Sequence, residues 1–126
     1  MNRENLKLMP PHIRTIPKEM FDMRSYRRGQ IKTPECDSVG CVLGHCTVLD
    51  PEPLPMEADG AIIFFRWSIK FTGLQYGEWD WCFSAYWSET DNTTEGAALR
   101  IEWVLEKGLP KDWYQQMFGE SPLCYK

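Results

Sequence analysis

The chain has 126 residues, enough for one ordinary domain and too few for two. With 43% hydrophobic and 25% charged residues it can bury a core, which excludes an intrinsically disordered chain. Net charge is −4, but its distribution is uneven: residues 1–33 hold eight basic side chains against three acids, whereas residues 34–126 are strongly acidic. Between Lys70 and Arg100 there is no Lys or Arg, while Glu78, Asp80, Glu89, Asp91 and Glu95 all fall there. Such an asymmetry points either to a charged partner or to a basic arm folded back on an acidic body.

Met1 to Pro11 carries no long apolar run, so a secretory leader is not expected. The stretch Ala61 to Phe71 is broken by Arg66, Ser68 and Lys70 and is too polar to span a bilayer. Five cysteines, an odd number, fit reduced thiols and a cytoplasmic location.

In chain order, Pro10, Pro11 and Pro17 predict an extended basic arm over residues 1–16, with 17–126 as the globular body of a single domain. Asp22 is placed to cap a short helix from Met23 to about Arg28, closed by Gly29. Asp37 or Ser38 caps the next helix, with Val39, Val42, Leu43, Val48 and Leu49 as its apolar residues. Asp50 to Gly60, with three prolines and four acids, reads as an irregular loop. A helix from Thr93 to Lys107 is the best-marked element. Asn92 is its predicted cap, Ala97, Ala98, Ile101, Val104 and Leu105 its buried stripe, and Gly108 its stop. A last short helix follows Asp112, with Gln115 three residues on.

Residues 61–87 fit two patterns. Apolar residues alternate over 62–72 and again over 79–87, as in a hairpin, and local pattern alone leans that way. Phe64, Trp67, Phe71 and Leu74 also fall at helical spacing, with Gly73 placed to end a helix and Leu74 to pack back on it.

Three regions are candidates for chemistry. Cys41 and His45 are four apart, so on a helix they share a face, and Cys36 or Cys46 can add a third ligand to a metal. The same Cys41–His45 pair is the arrangement of an activated thiol nucleophile. Against both stand the absence of a Cys-x-x-Cys pair and the direction of Cys46, about 100° around the helix from His45. Buried cysteines with Gly40 and Gly44 form a narrow packing face instead, and His45 is then expected to hydrogen-bond a neighbouring carbonyl. We therefore expect no metal and no cofactor, and no enzymatic activity.

The second region runs from Tyr76 to Asp91. Tyr76, Glu78, Trp79, Asp80, Trp81, Tyr86, Trp87, Glu89 and Asp91 combine carboxylates that attract a basic partner with rings that accept Arg side chains. The competing reading puts Trp79, Phe83 and Trp87 in the core and leaves the acids to solvate the other side. The third region, Arg24, Arg27, Arg28 and Lys32, can contact phosphates or an acidic partner, and with aromatic rings can bind a nucleotide-like signalling molecule. A sequence pI near 5.2 opposes nucleic acid as the main partner.

Several segments together resemble a family of small uncharacterised proteins of bacteriophages and prophages. They are Phe21-Asp22-Met23, Cys36-x-x-x-Gly40-Cys41-x-x-Gly44-His45, Phe71-Thr-Gly-Leu74, Glu78-Trp-Asp-Trp-Cys-Phe-Ser, and Asp91-Asn-Thr with Gly96-Ala-Ala-x-Arg100-Ile. The resemblance covers most of residues 20–126. Where that family more often has Gly-Thr after the first cysteine, this chain has Asp37-Ser38. It implies a mainly α fold of four to six short helices, leaving an α+β fold with a 62–72/79–87 hairpin as the alternative. It also implies a phage accessory role in the host cytoplasm: a non-catalytic inhibitor of a host-defence protein, of the anti-CRISPR kind, acting on a basic host surface. It supplies no activity, ligand or catalytic residue.

Overall fold

Residues Arg3–Ile13 form an α-helix (α1) where the prolines predict an extended arm. The computed structural model describes residues 1–24, 42–52 and 61–123. Asn2 starts α1 by accepting the amide of Asn5 at 3.0 Å through its side-chain oxygen. Pro10 and Pro11 each remove a backbone donor from the helix interior, a defect costing about 3 kcal/mol. Burial outweighs it. Leu6, Met9, Pro10 and Ile13 lie on one buried stripe, and each large apolar side chain contributes about 1.5–3 kcal/mol.

The other α-helices are α2 (Val42–Cys46), α3 (Ala61–Thr72), α4 (Tyr76–Phe83), α5 (Thr94–Lys107) and α6 (Trp113–Met117). Short 3₁₀ turns occupy Lys18–Met20, Thr47–Leu49 and Ala85–Glu89, and no β-strand occurs among the described residues. The fold is mainly α, as the resemblance implies.

Helix α1 packs chiefly on α5. The buried apolar face of α5 is Ala97, Ala98, Ile101 and Val104, and its two alanines leave room for close approach. At the rim, Arg14 spans both Glu95 and Glu102, with four hydrogen bonds of 2.8–3.0 Å. The basic N-terminal segment is thus folded against the acidic body, as a helix. Its other end is tied to α3, where the Asn2 amide donates to the Thr72 carbonyl at 2.7 Å and Asn5 Nδ2 to that of Phe71 at 2.8 Å. Gly73 makes this junction possible. Its φ is +64°, and a Cβ there would stand 2.9 Å from the Asn2 nitrogen.

In α3 the buried residues are Phe64, Trp67, Ser68, Phe71 and Thr72, spaced as one helical face. The hairpin alternative is thereby excluded: alternation would bury Ile63 beside Phe65, yet Ile63 is 41% exposed. Leu74 is buried just past the helix end, as expected for a chain that turns back at Gly73. Helix α4 packs on α5 and α6 and buries Trp79, Trp81, Cys82 and Phe83 around its circumference. The Trp79 indole donates to Ser68 Oγ at 2.6 Å, and its ring meets Phe65 and Phe83 edge-on.

Helix α2 falls within the segment predicted as the cysteine-bearing helix, and Val42, Leu43 and Cys46 are fully buried. Val48, predicted as a core residue, is 41% exposed because the chain has passed into a 3₁₀ turn. The proposed helix over Met23 to Arg28 lies outside the described residues beyond Arg24, as do Asp37, Ser38 and most of the 50–60 loop.

The Arg14 clamp holds the Glu95 and Glu102 carboxylates below the usual Glu range. A lowered folded-state pKa gives stability that is present above the unfolded value of about 4.3 and lost as pH falls below it. Arg14→Leu should therefore cost about 1 kcal/mol at neutral pH, the exposure of the pairs keeping it small. The deficit should shrink at about pH 3, well below that unfolded value, as read by urea denaturation at both pH values. An equal deficit at both would contradict the clamp.

Candidate functional site

The motif Asp91-Asn-Thr-x-x-Gly-Ala-Ala-x-Arg100 closes around a buried cation. Arg100 has no exposed surface, and its guanidinium carbon lies 4.1 Å above the Trp87 ring. Its Nη1 is 3.7 Å from Asp91 Oδ2. Thr93 Oγ1 donates to Asp91 Oδ1 and accepts the Gly96 amide at 3.0 Å, so it caps α5 and holds the carboxylate together. The cap is therefore Thr93 and not Asn92, whose side chain is committed elsewhere. Asn92 Oδ1 accepts the Met23 amide at 2.8 Å, and Nδ2 donates to Asp22 at 3.3 Å. A Cβ on Gly96 would lie 2.2 Å from Asp91 Oδ2, so glycine here is room for the carboxylate.

This arrangement divides the acidic-aromatic segment. Trp79, Trp81 and Trp87, predicted as partner contacts, are core residues; Trp81 and Trp87 have no exposed surface at all. The rings of Trp81 and Trp87 meet edge-on at 6.3 Å, and the Trp87 indole donates to the Trp81 carbonyl. An indole locked over a buried guanidinium is not available to a partner. Asp91 is likewise committed to Arg100 and Thr93. Glu78 caps α4 by accepting the Gln75 amide at 3.0 Å. Asp80 is half-buried, and burial raises its pKa. Tyr76, Tyr86 and Glu89 remain exposed, Tyr76 on α4 and the other two in the 3₁₀ turn after it.

Tyr86 has exposed neighbours that the sequence reading did not include. Its ring centroid lies 4.9 Å from that of Phe118, which lies 5.1 Å from that of Tyr114. The three are 56%, 40% and 52% exposed, although eight other rings among the described residues are buried. Thr90 Oγ1 donates to the Met117 carbonyl at 2.6 Å and fixes the 3₁₀ turn against α6. Tyr114 on α6 and Phe118 at its C-cap stand four residues apart and so fall on one side of the helix end. That spacing was the available signal; which distant ring joined them was not. Glu89 and Glu120 are exposed on the same two segments as these rings.

Elsewhere, Arg24 is bound to Asp22 through contacts of 2.8–3.1 Å, and this pairing holds the Asp22 carboxyl well below its usual range. Arg27, Arg28 and Lys32 lie outside the described residues, as do Cys36 and Cys41. His45 Nε2 donates to the Met20 carbonyl at 2.7 Å, and His12 Nε2 donates to the His45 carbonyl at 3.1 Å. These two bonds join α1, the Lys18–Met20 turn and α2, in line with the packing role expected of His45. Cys46 and Cys82 are buried, and burial pushes the Cys82 thiol up to about 12, far from a reactive thiolate. Among the described residues no three His, Cys, Asp or Glu side chains could hold a metal ion. No helix among them is long and apolar enough to cross a membrane.

No protein-family model matches the chain, and comparison with curated proteins and with solved structures gives no significant match.

Gly96→Ala should push the Asp91 carboxylate off Arg100 and destabilise the protein by about 1–3 kcal/mol. Ala is the better helix former, so an unchanged or raised denaturation midpoint would contradict this account of Gly96.

Proposed function

We propose that the chain is a non-catalytic binding protein that captures a basic surface of a partner protein through Tyr86, Tyr114 and Phe118. The observation that carries this reading is the ring cluster itself. Three aromatic side chains, with Phe118 in contact with both tyrosines, face solvent in a protein that buries most of its other described rings. Tyrosine and phenylalanine supply large contact area at low entropic cost, and exposed rings accept the stems and guanidinium planes of Arg. Glu89 and Glu120, with no Lys or Arg between 71 and 99, give the surroundings a negative field that favours a basic partner.

The resemblance to phage and prophage proteins makes a host protein the partner of choice, and inhibition of a host-defence factor the role. The action would then take place in the host cytoplasm. Two alternatives receive less support. For the thiol enzyme centred on Cys41 and His45, Cys41 lies outside the described residues and His45 Nε2 is engaged by the Met20 carbonyl; a nucleotide sponge built on the Arg24 cluster loses Arg24 to Asp22.

The test is affinity capture from host lysate with mass spectrometry, followed by titration of the captured protein. Combined Tyr86→Ala, Tyr114→Ala and Phe118→Ala should weaken binding by about 100-fold or more, while the far-UV spectrum stays unchanged. A partner held equally well by the variant would overturn the assignment.

A further inference from the structure

The outer side of α3 carries Arg66 and Lys70, four residues apart and both exposed. Like charges at that spacing repel along a helix, and neither residue enters an ion pair among the described residues. They border an open groove of about 500 Å³ whose remaining lining is Phe65, Ile69, Leu74 and Tyr76. Two cations without an ion pair among the described residues, beside an apolar trough on a protein of net charge −4, form a surface of defined character. It is complementary to something both anionic and apolar.

We propose that this groove docks an acidic amphipathic helix of a second protein partner. Its apolar side lies on Phe65, Ile69 and Leu74, and its carboxylates pair with Arg66 and Lys70. The shape of the groove selects a helix over a small amphiphile. It lies open to solvent alongside α3, whereas sites for small molecules enclose about 70–90% of the ligand. Helices laid in grooves use apolar anchors three or four residues apart, matching the Phe65–Ile69 step and the Arg66–Lys70 step that flanks it. The sign of the charge also sets this surface apart from the Tyr86–Tyr114–Phe118 cluster, which takes a basic partner. The chain would thus hold two partners of opposite charge, as an adaptor does.

The test uses a short fluorescein-labelled helical peptide with leucines along one face and glutamates flanking them. The same peptide with lysine in place of glutamate, and dodecyl phosphate, serve as competitors of other character. Anisotropy should show saturable binding of the glutamate peptide, weakened at least about tenfold by Arg66→Glu with Lys70→Glu. That double variant should now prefer the lysine peptide. The variant lacking Tyr86, Tyr114 and Phe118 should bind the glutamate peptide normally, which separates this site from the one above. Equal binding of the two peptides, indifference to the charge reversal, or saturable binding of dodecyl phosphate alone would overturn the proposal. Both substituted side chains are exposed, and an unchanged thermal midpoint verifies the fold.

Discussion

Burying Arg100 is the constraint to which much of the fold answers. A guanidinium withdrawn from water is costly unless its charge is answered nearby. Here the answers are Asp91 at 3.7 Å and the π face of Trp87 at 4.1 Å. Each places a demand on its neighbours. Asp91 needs Thr93 to hold it and a position 96 without a Cβ to admit it. Trp87 needs the 3₁₀ turn that carries it inward and the Trp81 carbonyl that accepts its N–H. The Asp91-Asn-Thr-x-x-Gly-Ala-Ala-x-Arg100 motif thus has a structural explanation in the enclosure of this buried cation.

The same turn that sends Trp87 inward sends Tyr86 outward. In a five-residue 3₁₀ segment, adjacent side chains diverge by about 120°. Tyr86 then meets Phe118 because Thr90 is tied to the end of α6. The exposed ring cluster is thus a by-product of the way the buried cation is enclosed, and Thr90 ties the two segments that carry it. Charge organises the rest: Arg14 draws α1 onto the acidic face of α5, while Arg66 and Lys70 stay outside that neutralisation.

Helix α5 was legible in sequence almost to the residue, since stripe, stop and capping chemistry agree there. The cap moved from Asn92 to Thr93 because Asn92 is recruited by Met23 and Asp22, about 70 residues away in the chain. Helix α1 is not legible in sequence because proline is a local breaker, whereas the burial of Leu6, Met9 and Ile13 in the core is not a local quantity. Residues 61–87 were ambiguous because bulky residues occupy nearly every position. The structure resolves them as helices through a side-chain partner, Ser68, that only the helical spacing brings to Trp79. Of the acidic-aromatic site, its chemistry was legible and its orientation was not. No local rule distinguishes Tyr86 from Trp87 until Arg100 claims the latter.

The division of these rings between core and surface is the central claim, and hydroxyl-radical footprinting with peptide mass spectrometry tests it directly. In the native protein Tyr86, Tyr114 and Phe118 should be oxidised readily, and Trp81 and Trp87 protected until denaturant is added. Oxidation of Trp81 and Trp87 in the native protein as fast as in the unfolded chain would contradict the account.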